Sequence, residues 1–135
     1  MSFSNTAETA VLNQVFVGTA LPWNSNTDLW LALHTADPGE AGTAVTSEAT
    51  YTSYARVAVT RATDFSVAGA VVSNANQEAF PQSTGGSNVI THASIVTTAS
   101  GAGTIIARAA LTSSITVTTG VQPLFASGAL SFTLD

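Results

Sequence analysis

The stretch "LWLALHTADPGEAG", residues 29–42, holds the pattern on which the reading of the fold turns. In its first half Leu29, Leu31 and Leu33 alternate with Trp30, Ala32 and His34, the two-residue period of a β-strand. Trp30 stands opposite the leucines, so this strand is expected to be covered on both faces. The second half is turn chemistry. Asp37 can bond its own backbone, Pro38 presets φ, and Gly39 accepts positive φ. The same residues admit a chemical reading, because His34, Asp37 and Glu40 fall within seven positions. An imidazole and two carboxylates can hold a divalent ion or share a proton. Local turn physics accounts for each residue without that, and is preferred.

Outward from this stretch the chain repeats the strand pattern. "RVAVTRA", "AVVSNA", "EAFP", "NVITHASIVTT", "GTIIARAAL", "SITVTT" and "ALSFTLD" follow in order, the last with Leu130, Phe132 and Leu134 on one face. Turn-formers separate them: Asp37-Pro38-Gly39, Thr84 to Ser87, Ser100 to Gly103 and Ser127-Gly128. Many short strands with regular turns predict a mainly β fold, an antiparallel β-sandwich or jelly-roll-like barrel.

One segment predicts a helix. In "SNTAETAVLNQVFVG" Asn5 is the candidate cap and Glu8 follows three residues later. Val11, Leu12, Val15 and Phe16 form a stripe, and Gly18 stands where a left-handed stop belongs. The span is 6–17. Three turns alone in water are marginal, so the stripe must dock on the chain's own sheet or on a neighbouring subunit. The segment 22–27 reads as turn-rich and 42–55 as a long, partly extended loop. With no repeat or linker, 1–135 reads as a single domain, the helix at 6–17 and the β domain at 28–135.

Composition narrows the function. Charged residues are 8% of the chain, against about 25% in ordinary soluble domains. There is no lysine and no cysteine; the cations are Arg56, Arg61 and Arg108. Disulfides, thiolate metal sites, cysteine nucleophiles and Schiff-base chemistry are therefore excluded. A net charge of −5 and the lack of a basic stripe argue against nucleic-acid binding. No apolar run approaches the roughly 18 residues of a spanning helix, and no membrane partner is expected. The first basic residue is Arg56, so the N-terminus does not read as a secretory signal, and synthesis in the cytoplasm is expected. A surface so poor in charge suits a protein whose exterior is covered by neighbours.

Catalytic candidates are few. There is no G-x-S-x-G elbow and no glycine loop followed by lysine. The histidines are His34 and His92, each in a predicted strand. Asp28, Glu48, Asp64 and Glu78 are scattered near strand ends, unlike a facing carboxylate pair. No catalytic, cofactor-binding or metal-binding residue is assigned. The residues singled out are interface candidates. Arg56 and Arg61 qualify because interfaces favour arginine over lysine. Trp23, Tyr51 and Tyr54 are loop aromatics with an apolar body and a polar handle, equally suited to capping the ends of their own domain. Phe16 belongs to the helix stripe.

"LWLALHTADPGEAG", "SYARVAVT", "VITHASIV", "SGAGTIIARAAL" and "GALSFTLD", in this order, resemble small tailed-bacteriophage virion proteins of the LALHTADP type, often labelled tail-fibre-like. The resemblance runs from Asn5 to Asp135. It implies a β-rich structural protein made in the infected bacterium and built into the particle, with no catalytic residues to carry over. Where relatives often have a glycine and an aromatic after "TH", Ala93, Ser94, Ile95 and Val96 stand here, and the strand after Gly101–Gly103 carries Arg108.

Three functions follow as expectations. The first is a capsid decoration or cement protein on the capsid exterior. Its partners would be the major capsid protein and other copies of itself in a homo-oligomer, with the N-terminal segment and Gly42–Ala55 in contact. The second is a tail fibre or adhesin component recognising the host surface. The third, ranked last, is a small glycan hydrolase using His34, Asp37 and Glu40.

Overall fold

A computed structural model describes residues 2–133. Its elements are β1 (Ser2–Phe3), α1 (Asn5–Leu12), β2 (Asp28–His34), β3 (Val57–Thr60), β4 (Phe65–Ala68), β5 (Val71–Asn74), β6 (Glu78–Ala79), β7 (Asn88–Val96), β8 (Ile105–Val117), β9 (Leu124–Phe125) and β10 (Ser131–Thr133). The fold is mainly β with one short N-terminal helix, as the alternation predicts. All pairings are antiparallel, in a five-stranded sheet ordered β1-β8-β7-β2-β3, a three-stranded sheet β10-β5-β4 and the pair β6-β9.

The quoted stretch is β2, held between β7 and β3 in the large sheet. Leu31 faces Ile95 and Leu33 faces Ala93 across the β7 pairing, and Leu29 faces Val59 of β3. Their common face joins Phe80, Ile90, Val117, Leu130 and Phe132 in the main core. Full burial of one such side chain stabilises by about 1.5–3 kcal/mol. The opposite face of β2 is covered as well, since Ala32 packs with Ala44, Val96 and Ile105 under Trp30. The strand ends as expected. Asp37 Oδ1 accepts a hydrogen bond from Gly39 N at 2.9 Å, and Gly39 has φ +75°. The turn closes tightly, because a Cβ on Gly42 would lie 2.0 Å from the Pro38 carbonyl oxygen.

Several expectations need correction. The 6–17 helix is α-helical only over Asn5–Leu12, and Asn13–Val17 widens into a π turn. Ser4, not Asn5, caps it, accepting from Ala7 N at 3.1 Å. "GTIIARAAL" and "SITVTT" are one strand, β8, and not two. Its register slips: two steps along β7, Ile90 to His92, answer five along β8, Ile115 to Ala110. Leu111–Ser114 therefore bulges out of the ladder. On its other edge β8 pairs with β1, among the described residues, at Ala107 and Arg108. Alternation does not reveal β1, β4 or β9. Leu130 and Phe132, expected on one face, are both buried; Leu134 lies outside the described residues.

Candidate functional site

The second face of the large sheet carries the polar chemistry. Pairing sets His34 beside His92, and Ser94 beside Ala32 and Arg108. His34 and Ser94 are both fully buried. His34 Nδ1 lies 2.9 Å from the Thr46 carbonyl and must donate to it. Nε2 is then the acceptor, taking the Ser94 hydroxyl proton at 2.7 Å. A serine donating to an imidazole has the outline of a nucleophile and its base. Here a substrate has no path to either atom, and the histidine's second nitrogen is tied to backbone.

Asp37 and Glu40 turn elsewhere. Arg108 Nε stands 3.0 Å from Asp37 Oδ1, and its Nη2 is 3.9 Å from Glu40 Oε1. The Gly39 backbone N–H, burial opposing it and then the Arg108 charge helping it, holds the Asp37 carboxyl below its usual range. The histidine and the two carboxylates thus have different partners. Among the described residues no group of three His, Asp or Glu is placed to hold a metal ion.

Burial lowers the His34 pKa below the ordinary 6.5, with the Thr46 carbonyl opposing. The unfolded chain then binds the extra proton more readily than the folded one, so stability rises with pH in this window. His34 is expected to contribute full stability above about pH 6.5 and to lose it as pH falls toward its folded value. Its slope approaches about 1.4 kcal/mol per pH unit. Urea unfolding of wild type and His34→Gln at stepped pH checks this. The variant should be weaker at pH 7.5 and flatter below 6.5; parallel curves would remove the assignment.

The interface candidates fall into two groups. Trp23, Tyr51, Tyr54, Arg56 and Arg61 are tied into the chain's own domain. Trp23 and Tyr51 are buried. Tyr51 donates to the Pro81 carbonyl at 2.9 Å, and burial pushes its phenol up to about 12. The half-buried Tyr54 hydroxyl donates to Glu48 Oε1 and accepts from Leu33 N, each at 3.0 Å. Burial raises its pKa too. Arg56 forms a two-pronged pair with Glu48, Nε to Oε1 at 2.7 Å and Nη2 to Oε2 at 2.8 Å. Arg61 Nη1 donates to the carbonyls of Trp23, Asn24 and Asn26 at 2.9–3.2 Å. These five residues close their own domain.

The loop 42–55 is likewise held by its own domain. Ala44 N bonds Gly103 O, Ala49 N bonds Leu33 O, and Thr52 N bonds Gly85 O, at 2.8–2.9 Å. Ser47 and Ser53 adopt positive φ, a conformation that persists in non-glycine residues only where surroundings enforce it.

Phe16 is different. The helix leans on β8 through Ala7 and Ala10, small residues that let it come close. Ser4 fixes its start, with its backbone N–H on Ile106 O at 3.1 Å and its hydroxyl on Ile105 O. Of the predicted stripe, Leu12, Val15 and Phe16 therefore point away from the sheet while Val11 is half-buried, and Val17 joins the exposed group. Leu12, Val15, Phe16 and Val17 are 57%, 65%, 79% and 70% exposed. Gly18, at φ +76°, ends the π turn, and Gln14 Oε1 accepts from Leu21 N at 3.1 Å to hold the return. Of the two docking partners expected for the stripe, its own sheet is met by alanines and not by the stripe; the other, a neighbouring subunit, stays open. Periodicity located the stripe but could not tell which side the sheet would take.

A family model described as "Podophage GP4 fiber I protein gp80" matches residues 2–133. The chain belongs to this gp80 family. It is a bacteriophage virion structural protein. A comparison with curated proteins gives no match. Within this gp80-family chain the Ser94–His34 pair is fully buried, whereas the helix tip is exposed. No helix among the described residues is long and apolar enough to cross a membrane.

Proposed function

We propose that this chain is a fibre component of the virion surface, held in place by protein–protein contacts and without a catalytic step or a cofactor. The observation that carries the reading is the family match across residues 2–133, whose description is a fibre protein. The side chains support it. The serine–histidine pair is sealed, the ion pairs serve the domain itself, and the large exposed apolar group is at the helix tip.

Capsid decoration is the second reading, favoured by one observation. The chain is a small domain without repeats or a helical shaft, which suits a unit capping a shell as well as one building a fibre. In that case the partner is the major capsid protein. Heads and tails separated from purified particles, probed with antibody and counted for copy number, distinguish the two. Signal with the tails is expected. Signal confined to heads, in numbers matching the shell lattice, would move the assignment to decoration. Absence from both would end the virion reading.

A further inference from the structure

We propose that the exposed tip of the N-terminal helix is a self-association surface, on which Phe16 of one copy seats in the groove beside α1 of a second copy, and reciprocally. This rests on the reading of the chain as an assembled virion subunit.

Three features of the surface lead to a second copy. The first is area. Leu12, Val15, Phe16 and Val17 lie within six residues and together expose roughly 400 Å² of apolar surface. That matches the largest patch on a typical monomer, about 300–600 Å², which is often functional. It is about half of the roughly 800 Å² per partner in a stable interface. The other half requires a receiving surface.

The second feature is a receiving surface on the same element. A groove of about 440 Å³ runs along α1, lined by Asn5, Thr6, Thr9, Ala10, Thr19 and Pro22. A cavity of about 150 Å³ already accommodates benzene, so a phenyl ring enters with room to spare. Asn5, Thr6, Thr9 and Asn13 mark one side of the helix. Leu12 and Phe16, four residues apart, stand on the adjoining stripe, seven residues on from Asn5 and Thr9. Ridge and groove therefore lie side by side, and a two-fold rotation brings each ridge to the partner's groove. Such an isologous contact uses every favourable residue twice.

The third feature is charge. Glu8 is the only charged side chain among residues 1–27. An acidic or phosphate-bearing partner finds no counter-charge here, and a basic one finds a single half-exposed carboxylate. An uncharged apolar ridge with a threonine rim suits an identical surface, and two copies bring together only two half-exposed carboxylates.

The full-length chain, studied by sedimentation equilibrium from about 1 to 300 µM, is expected to form dimers. Phe16→Ser removes the knob, and Thr9→Arg blocks the groove wall. Each should weaken dimerisation at least 30-fold, the loss typical of a central aromatic anchor. Both positions are exposed, so circular dichroism of the dilute variants should match wild type. A wild-type chain that stays monomeric throughout, or a dimer unaffected by both substitutions, overturns the proposal. Incorporation into particles is scored separately. A dimer missing from particles leaves this surface standing and removes the fibre reading. A monomer that enters particles only with Phe16 intact means that a different virion protein covers the ridge, which overturns self-association alone.

Discussion

Glu48→Ala is expected to destabilise the domain by about 3–5 kcal/mol, the cost of leaving a buried partner charge uncompensated. The Arg56 side chain is only 2% exposed, and both of its pairing nitrogens meet Glu48. Its remaining donors reach the Thr98 and Gly101 carbonyls at 3.0 and 2.7 Å, which orient the guanidinium but bring no negative charge. Tyr54 loses its acceptor in the same substitution. Guanidinium unfolding measures the effect. The double variant Glu48→Leu/Arg56→Met should recover much of the loss, because an apolar pair of similar volume carries no desolvation penalty. A single-variant loss below about 1 kcal/mol would show that Arg56 reaches water and that the pair behaves as a surface one.

Phe80→Ala is expected to cost about 3–5 kcal/mol by opening a cavity that the surroundings cannot fill. Phe80 is fully buried. Its ring stacks on Tyr54 at 6.4 Å and meets the edge of Phe125 at 5.8 Å. Tyr51 completes the group by an edge contact to Tyr54 at 5.4 Å. Phe80→Leu keeps most of the volume and should cost under about 1.5 kcal/mol. Thermal and urea unfolding of the two variants give the comparison, and equal losses would count against a cavity mechanism. Because Tyr54 touches both Phe80 and Glu48, the two substitutions together should not cost the sum of their separate effects.

Much of the architecture was legible where local and tertiary demands agree. In β2, alternation, turn residues and two-sided burial all point the same way, and the strand ends at His34 as the turn requires. β7 was equally plain, with its run of β-branched residues. Legibility failed where the deciding contact is distant in sequence. β1 is two residues whose only reason to be extended is Ala107 and Arg108, over a hundred positions away. The break expected between "GTIIARAAL" and "SITVTT" is a bulge, and nothing in the local sequence distinguishes a bulge from a turn. The aromatics show the same limit. Trp23 and Tyr51 look like loop residues in one dimension, yet their rings go inward because the loops fold back over the sheet edges. Phe16 was legible as apolar, helical and a candidate for contact, but a stripe does not announce which neighbour it lacks. The alanines that seat the helix gave no signal, because small residues carry little hydrophobic contrast.

The displaced ladder at Leu111–Ser114 bears on how the molecule behaves when crowded. An unbroken outer margin there, free of charge and proline, would let neighbours zip together backbone to backbone and grow without end, as amyloid-forming segments do. The slipped register spoils that template while leaving both ends of the strand bonded. In a polypeptide with so few charged side chains to keep copies apart, this break in the ladder limits open-ended polymer growth.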